Sequence, residues 1–574
     1  MYQGVNHMKT LLNIGWLLAA TANFAPAADN KVAQDLLNPP GSTVDIIVQY
    51  TKLPTAYHHQ KVLSRGGVLK GDLSKVIKGA AYSVPASAIA ELAQDPDVVY
   101  ITPDRSLQGM LNYTAAAVNA AVAWTQYGLN GTGIGVAVID SGISQHPDLK
   151  SLINGNSRVV WNQDFVGGGT DDHYGHGGHV AGIVAGDGAS STCNKCTTVF
   201  KGIAPNANLI NLRVLDQNGN GTDSGVITAI QTAIALKNTY NIRVINLSLG
   251  RPVFESYTLD PLCLAVEAAW KAGIVVVVAA GNEGRNNSAG TNGYSTIAAP
   301  GNDPYVITVG AMKTMETLTR TDDLVASYSS KGPTLIDHIV KPDLVAPGNQ
   351  VVSLLMATAS LDSTYPQNNI TVNSYQVTSN PSLSNTYFRL SGTSMAAPVV
   401  SGAAALLLQR NPALTPDQVK ALLMKTSYKT FPPYSVAVDP VTGISYTSQY
   451  DIFTIGAGYL DIGAALADTD LPPATAGSAL SPTAVIRSVN GMPTVCVVNT
   501  GLTAVWGSTA VWGSTAVWGS FAFVNGSTAV WGSTAVWGST AVWGSTAVWG
   551  STAVWGSASN DSAERVSTLI YGEQ

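Results

Sequence analysis

Short runs of apolar, mostly β-branched residues recur along the middle of the chain, and each ends in small or polar residues. Residues 136–139 lead into Asp140, and residues 275–280 lead into Gly281 and Asn282. Apolar runs of this length are typical of strands that are buried on both faces. Each run therefore predicts a buried strand that delivers a polar side chain at its carboxyl end.

A different pattern follows residue 391. Ser394 precedes small residues, Pro398 and an apolar run at 399–408, which predicts a buried helix with Ser394 at its N-terminus. Backbone N–H groups and the helix dipole favour negative charge at that position. Taken alone, the segment fits an ordinary capping serine equally well. A serine nucleophile also needs a base and an orienting carboxylate, so the other segments decide between the two.

Three upstream segments supply those groups. Asp140 ends a predicted strand, His176 begins a helix of small residues, and Asn282 follows another strand with an amide suited to an oxyanion. With Ser394, these segments and their order resemble the subtilisin family of serine endopeptidases over roughly residues 113–470. The resemblance implies that Asp140 is the orienting acid, His176 the general base and Ser394 the nucleophile. It implies that the Asn282 amide and the Ser394 backbone N–H hold the oxyanion.

The resemblance also implies a cleft for an extended polypeptide substrate, which would pair with one edge of the cleft. Gly178 departs from the family pattern, because a threonine usually stands there, between the two histidines. The departure removes a local hydrogen-bonding side chain but no catalytic group. The residues expected to line the cleft are Ser248, Leu249, Gly250, Ala279, Ala280 and Gly281 in the specificity pocket, and Gly219, Asn220 and Gly221 at the edge.

His173, His176 and His179 fall at three-residue spacing and offer an alternative, because imidazole is a common metal ligand. No HExxH signature accompanies them, and the triad hypothesis already accounts for His176.

Several carboxylates near these motifs have open roles. Asp171 and Asp172 either shape a neighbouring subsite or solvate their loop, and Glu283 either attracts a basic substrate side chain or lies on an exposed rim. The family resemblance implies structural calcium, although the chemistry itself requires no cofactor. Spacing assigns no calcium ligands, and Asp322 and Asp323 are only guesses.

Composition and the N-terminus favour a secreted protein. Charged residues make up 11% of the chain, and the formal net charge of −6 provides no basic field for nucleic acid. Lys9, the apolar run at 11–20 and the motif Ala25-Pro26-Ala27 predict a signal peptide over residues 1–27.

The four cysteines fit a non-cytosolic protein. Cys193 and Cys196 form a CxxC motif without a second pair to complete a zinc site, so we predict a disulfide between them. Cys263 lies in an apolar helix and is predicted to be a buried thiol, and the state of Cys496 is open.

Residues 28–112 form a unit with its own pattern. Strands are predicted at 44–50, 82–84 and 98–101, and a short helix at 86–93. This small α+β unit looks like the inhibitory propeptide of subtilisins, which would make it an intramolecular inhibitor of the cleft. We expect processing after Arg105 and before Thr114.

The hexapeptide Thr-Ala-Val-Trp-Gly-Ser occurs eight times between residues 503 and 557, within a predicted C-terminal β domain at 483–574. A six-residue period keeps Trp on one face of a strand but rotates it around a helix, so the repeats predict strands. A two-residue Gly-Ser turn would give a meander in which Trp opposes Thr, whereas stacked coils would give a solenoid, which we favour. The repeats would serve either as an adhesive, self-associating surface or as an expanded tract without a selected role.

The sequence therefore predicts a secreted, self-processing serine endopeptidase with a catalytic domain at 113–470. The family resemblance implies an α/β fold for that domain, a parallel sheet flanked by helices. The alternative is a surface or matrix structural protein whose protease portion serves only self-processing. Residues 471–482 have the composition of a linker. We consequently expect the repeat domain to be dispensable for catalysis, so that truncation near Ser478 keeps peptidase activity.

Overall fold

The computed structural model describes residues 31–33, 36, 42–74, 77–103, 113–151, 154–288, 290–378, 382–439, 442–471, 474–489, 492–498, 511–512, 516–517, 530–531, 535–536 and 568–573. Contacts divide the chain into two compact units, residues 1–107 and 108–574. The predicted signal peptide, the processing region after Arg105 and most of the hexapeptide repeats lie outside the described residues.

The first unit combines an antiparallel sheet with two helices. Its elements are β1 (Thr43–Tyr50), α1 (Ala56–Leu63), β2 (Val68–Asp72), β3 (Gly79–Pro85), α2 (Ile89–Ala93) and β4 (Val98–Pro103). The sheet order is β2-β3-β1-β4. Alternate residues of β1 and β3, such as Ile46 and Tyr82, fill the core. The predicted strands and short helix are confirmed, whereas β2 and α1 escaped prediction because each is mostly exposed.

The second unit is built on an eight-stranded sheet. Its strands are β5 (Gly135–Asp140), β6 (Val159–Asp164), β7 (Asn208–Arg213), β8 (Ile242–Leu247), β9 (Val275–Ala279), β10 (Ile307–Lys313), β11 (Leu324–Val325) and β12 (Leu344–Pro347). The order is β11-β10-β9-β8-β5-β7-β6, and β12 pairs with β10. Every pairing is parallel except that of β10 with β11. The predicted parallel sheet is therefore confirmed.

Helices pack against this sheet. They are α3 (Tyr113–Ala117), α4 (Ala120–Thr125), α5 (Gly177–Ala185), α6 (Asp223–Tyr240), α7 (Pro261–Lys271), α8 (Ser360–Thr364), α9 (Thr393–Arg410), α10 (Pro416–Thr426) and α11 (Ile462–Ala467). Helices α5 and α9 contact each other and the sheet, as do α6 and α7. Most of α9 is buried, which explains why its sequence is apolar on all sides. Among the described residues, no helix combines the length and apolarity that a bilayer crossing requires.

Short antiparallel sheets complete the second unit. Their strands are β13 (Val351–Leu354), β14 (Asn369–Thr371), β15 (Leu383–Leu390), β16 (Tyr434–Val438), β17 (Ser445–Gln449), β18 (Thr483–Val489) and β19 (Met492–Val498). Strands β13, β15 and β14 form one sheet, and β16–β17 and β18–β19 form two hairpins. The predicted disulfide between Cys193 and Cys196 is confirmed, and Cys263 is a buried free thiol.

The second half of the segment predicted as a linker packs on the second unit, whereas residues 474–476 are exposed. Ser478, Ala479 and Ser481 are buried, and Ser481 donates a hydrogen bond to Asp343 and accepts one from Lys420. Its small residues suit close packing as well as they suit a linker. The hairpin that follows also packs on the second unit, because Ala484 and Val497 share a core with Tyr294, Val340, Ile452 and Phe453.

Eight described residues of the repeats form two short antiparallel ladders, β20 (Val511–Trp512) with β21 (Ala516–Val517) and β22 (Val530–Trp531) with β23 (Ala535–Val536). In each ladder Trp opposes Ala, not the Thr that a two-residue turn would place there. The connection between paired residues contains Gly, Ser and Thr. The arrangement of the complete tract stays a prediction.

Candidate active site

The sheet brings the predicted site residues to one edge. Asp140 is the last residue of β5, the strand between β7 and β8, and Asn282 follows the end of β9. His176 is the N-cap of α5, and Ser394 lies in the first turn of α9. The carboxyl ends of parallel strands and the N-termini of the following helices share an edge, which explains the convergence of these distant residues.

Asp140 and His176 form a direct pair. The Oδ1 atom of Asp140 lies 2.7 Å from Nδ1 of His176, and both side chains are buried. Burial by itself lowers the pKa of His176. The charge of Asp140 and its hydrogen bond outweigh that effect, so the pKa of His176 lies above its usual value. The pair therefore stabilises the protonated imidazole and fixes the ring through Nδ1.

A second carboxylate holds the loop that carries His176. Asp172 accepts hydrogen bonds from the Ser141 hydroxyl at 2.8 Å and from the backbone N–H groups of Gly175 and Gly178 at 2.7 and 2.8 Å. Its side chain is buried, and burial raises its pKa. The expectation that Asp172 solvates its loop is wrong, because the residue ties the start of α5 to the end of β5.

The Ser394 side chain is bonded to the end of β8. Its hydroxyl donates to the carbonyl oxygen of Ser248 at 3.1 Å, while the Ser248 hydroxyl donates to the carbonyl oxygen of Ser394 at 2.7 Å. These two bonds fix the first turn of α9 against the sheet.

Thr393 sets the orientation of the Asn282 amide. Asn282 Oδ1 accepts hydrogen bonds from the Thr393 backbone N–H at 2.9 Å and from its hydroxyl at 3.1 Å. The Thr393 hydroxyl also accepts from the backbone N–H of Gly281 at 3.1 Å. Because the amide oxygen is held by these donors, the Nδ2 group of Asn282 is left to donate next to Ser394.

The three-histidine metal hypothesis does not fit the structure. His179 is buried, and its Nε2 lies 3.2 Å from the carbonyl oxygens of Val351 and Phe388. Burial lowers the pKa of His179 to about 3, so its ring is neutral. His173 is exposed, whereas His176 is bonded to Asp140. Within the described ranges, no three His, Cys, Asp or Glu side chains cluster as a metal site requires.

Met356 occupies the space that a side chain at residue 178 would need. A Cβ atom built on Gly178 would lie 2.7 Å from Cε of Met356 and closer still to its Cγ and Sδ atoms. Met356 itself is 3% exposed. The glycine is therefore matched to a methionine that packs on the first turn of α5, two residues from His176.

Comparisons with known proteins agree with this geometry. The profile described as "Subtilase family" matches residues 131–457, which is more than half of the chain. This chain belongs to the subtilase family. It is 37% identical over 363 residues to serine protease AprX of Bacillus subtilis, covering 62% of this chain and 75% of AprX. It is 32% identical over 422 residues to subtilisin E of the same organism, covering 72% of this chain and 93% of subtilisin E.

A solved cold-adapted subtilisin-like serine proteinase is 28% identical, with a TM-score of 0.38, and the match covers 58% of this chain and 90% of that one. Family membership makes this subtilase a serine-type endopeptidase, with polypeptides as its substrate class.

The segments expected to form the specificity pocket of this subtilase both follow strands of the sheet. Residues 248–250 follow β8 and residues 280–281 follow β9, and the adjoining chain is linked because Arg251 bonds to Ala299 and Ala280 bonds to Ala298. Ala280 is fully buried and its backbone N–H and carbonyl oxygen are already bonded, so it presents no surface to a substrate. The edge formed by Gly219, Asn220 and Gly221 is largely exposed, and its turn is closed by bonds to Asp216.

The two carboxylates named as guesses for calcium have protein partners. The Asp323 carboxylate accepts a hydrogen bond from Tyr459 at 2.7 Å, and burial raises its pKa to about 7. Asp322 accepts from Thr317 at 2.9 Å. Among the described residues, no three His, Cys, Asp or Glu side chains cluster around either carboxylate, so no calcium ligands are assigned.

Sequence reasoning missed the roles of several residues in this site. Ser141, Asp172 and Thr393 hold other groups in place and need not touch substrate. A search for a nucleophile, a base, an orienting acid and an oxyanion donor therefore passes over them. The position of Ser141 and Thr393 directly beside Asp140 and Ser394 is the only sequence signal that could have drawn attention to them.

Proposed function

We propose that Ser394, His176 and Asp140 are the catalytic triad of this subtilase and that Asn282 supplies one donor of its oxyanion hole. The observation that carries the proposal is the buried 2.7 Å hydrogen bond between Asp140 and His176 Nδ1, formed at the sheet edge where α9 presents Ser394. A second supporting feature is the orientation of Asn282 by Thr393.

The reaction begins when Ser394 Oγ attacks the carbonyl carbon of a peptide bond and passes its proton to His176 Nε2. The carbonyl oxygen becomes an oxyanion that accepts hydrogen bonds from Asn282 Nδ2 and from the Ser394 backbone N–H. That N–H lies in the first turn of α9, where backbone amides have no intrahelical acceptor. The carboxylate of Asp140 stabilises the imidazolium that forms.

His176 next donates its proton to the leaving amine, which leaves an acyl ester on Ser394. Water then attacks the ester with His176 again as the base, and the carboxylic acid product is released. The neutral form of His176 is needed at the start of both half-reactions, formation of the acyl ester and its hydrolysis. Its raised pKa strengthens it as a base but requires a higher pH for it to be neutral.

We also propose that the enzyme is a secreted zymogen. Residues 1–27 have the sequence of a signal peptide, and the unit over 28–112 has the strand and helix pattern expected of a subtilisin propeptide. Self-cleavage between Arg105 and Thr114 would use the same nucleophile as substrate hydrolysis.

Labelling with a fluorescent fluorophosphonate tests the nucleophile. The wild-type enzyme should be labelled stoichiometrically, whereas Ser394→Ala should not be labelled. Ser363→Ala, which alters an exposed serine in α8, is the matched control and should be labelled like the wild type. Labelling of a folded Ser394→Ala protein at the wild-type rate would disprove the assignment.

Self-processing is tested by the mass of the purified Ser394→Ala protein made in a host without other secreted proteases. We expect the precursor to retain residues 28–112, because loss of the nucleophile reduces turnover by several orders of magnitude. A Ser394→Ala protein that matures normally would show that another protease performs the cleavage.

A further inference from the structure

The end of the chain returns to the second unit after the repeats. Residues 568–571 form a helical turn, and Thr568, Leu569, Ile570 and Glu573 are buried, with Leu569 and Ile570 part of the main hydrophobic core. Tyr571 is 57% exposed. The burial of a six-residue segment so distant in sequence from the catalytic motifs indicates that the second unit has a specific binding site for it.

Two side chains and one backbone N–H group of the second unit bind the main chain of this segment. The Ser391 backbone N–H donates to the carbonyl oxygen of Leu569 at 2.8 Å, and Asn368 Nδ2 donates to that of Ile570 at 2.6 Å. The Asn349 amide makes two bonds to residue 573, accepting from its N–H and donating to its carbonyl oxygen, both at 2.7 Å. Asn349 therefore recognises a peptide backbone as a neighbouring strand would.

The Glu573 carboxylate enters a positively charged pocket. Its Oε2 atom accepts from the backbone N–H and hydroxyl of Ser327 at 2.7 and 2.6 Å and from Arg285 at 3.2 Å. Its Oε1 atom lies 3.5 Å from the ammonium group of Lys313. The side chains of Arg285 and Lys313 are only 11% and 10% exposed, and Arg285 also lies 3.5 Å from a carboxylate oxygen of Asp439, so loss of the Glu573 carboxylate would remove one counterion from a largely buried charge cluster.

Gly572 allows the close approach. Its φ angle is +61°, and a Cβ atom there would lie 2.7 Å from Oδ1 of Asn349 and closer still to the Ser391 hydroxyl. Only glycine fits both the backbone conformation and the space.

We propose that these residues form a peptide-binding site whose ligand is the enzyme's own C-terminal segment, residues 568–573, recognised through its backbone and the Glu573 carboxylate. We further propose that occupation of this site positions the two segments that carry the oxyanion donors. The second statement rests on the proposed function, whereas the first does not.

The site touches both of those segments. Ser391, which binds Leu569, precedes Ser394 by three residues, and the next residue, Gly392, donates its N–H to the carbonyl oxygen of Gly348 beside Asn349. Arg285, which binds Glu573, follows Asn282 by three residues and also donates to the Ser327 hydroxyl at 2.7 Å. Binding of the tail therefore links residues 282–285 to residues 391–394 through one ligand.

The site also fixes how the repeats are attached. Strand β19 packs on the catalytic unit before the repeats, and residues 568–573 pack on it after them. The described residues on both sides of the repeats therefore pack on the second unit.

Full-length point variants test the positioning role. Glu573→Gln and Gly572→Val should lower kcat on a small peptide substrate about tenfold with little change in KM, and should lower Tm by about 5 °C. Tyr571→Ala is the matched control in the same segment, and its kcat and Tm should equal those of the wild type. Measurement well below Tm separates kcat from unfolding. Wild-type kcat and Tm in both pocket variants would overturn the whole proposal, and a lowered Tm with wild-type kcat would overturn the positioning role.

A nicked protein tests the binding site without using catalysis. A recognition sequence for a specific protease is inserted between Asn560 and Asp561 of the full-length Ser394→Ala chain, which is then cut. The 14-residue tail should co-elute with the enzyme on gel filtration at micromolar concentration. Excess synthetic peptide of residues 561–574 should exchange for it, and the Glu573→Gln peptide should need at least about tenfold more. A tail that elutes alone, or equal exchange by both peptides, would overturn the binding site even if the triad is correct.

Discussion

Replacement of Gly178 by alanine should destabilise this subtilase, although the same change stabilises most helices. The new Cβ would lie 2.7 Å from Cε of Met356 and closer to Cγ and Sδ, in a site where Met356 is 3% exposed. Overpacking of this kind costs about 1–3 kcal/mol, and alanine recovers up to about 1 kcal/mol through helix propensity. We therefore expect a net loss of about 1 kcal/mol in the free energy of unfolding.

When the Met356 side chain is removed, Gly178→Ala should raise the free energy of unfolding instead of lowering it. Met356→Ala alone should cost about 3 kcal/mol, because it leaves a cavity beside α5. In that background Gly178→Ala meets no obstacle and should gain up to about 1 kcal/mol. The two changes should consequently show a coupling of about 2 kcal/mol, well above the ~0.5 kcal/mol scatter of independent sites.

Urea denaturation of Ser394→Ala variants measures all four corners of this cycle without self-digestion. Gly463→Ala is the matched control, because Gly463 is also the second residue of its helix and its built Cβ would lie 3.4 Å from Val122, an ordinary contact. That control should be neutral or stabilising and additive with Met356→Ala. Additive energies for Gly178→Ala and Met356→Ala would refute the idea that the methionine replaces the missing side chain.

Three further predictions concern catalysis and pH. Asn282→Ala should lower kcat by roughly 10²–10³ with KM nearly unchanged, and an effect mainly on KM would place the oxyanion elsewhere. The pKa of His176 is raised and its neutral ring is the base, so kcat/KM should fall as the pH decreases, with a midpoint above the ordinary histidine pKa of about 6.5. A midpoint below about 6.5 would contradict the direction of the shift. Because His179 has a pKa of about 3 when folded and about 6.5 when unfolded, the unfolded chain binds the extra proton, so stability should decline as pH falls from 6.5 towards 3. Unfolding of Ser394→Ala across this range should show a shallower decline when His179→Gln is added, and an unchanged slope would exclude His179 as its cause.

The local patterns of the sequence were sufficient to find the strands of the sheet and to nominate the candidate catalytic residues. Buried parallel strands are apolar along their whole length, so β5 and β9 were visible as runs, and Asp140 and Asn282 were visible at or just after their ends. A serine, a histidine and a carboxylate can be nominated as reacting groups from their residue types alone. Elements without an apolar stripe, such as β2 and α1, gave no such signal.

What the sequence by itself determined about this protein is therefore the class of fold and the family, and it supplied the candidates for the reacting groups. Only the tertiary structure decided which residues hold the candidate catalytic groups in place, because Asp172, Thr393 and Met356 act through contacts with residues 31 or more positions away in the sequence. It also decided where residues 568–573 lie. Their burial beside Ser391 depends on a pocket assembled from six separate positions of the chain, between residues 285 and 391, which no local pattern can encode.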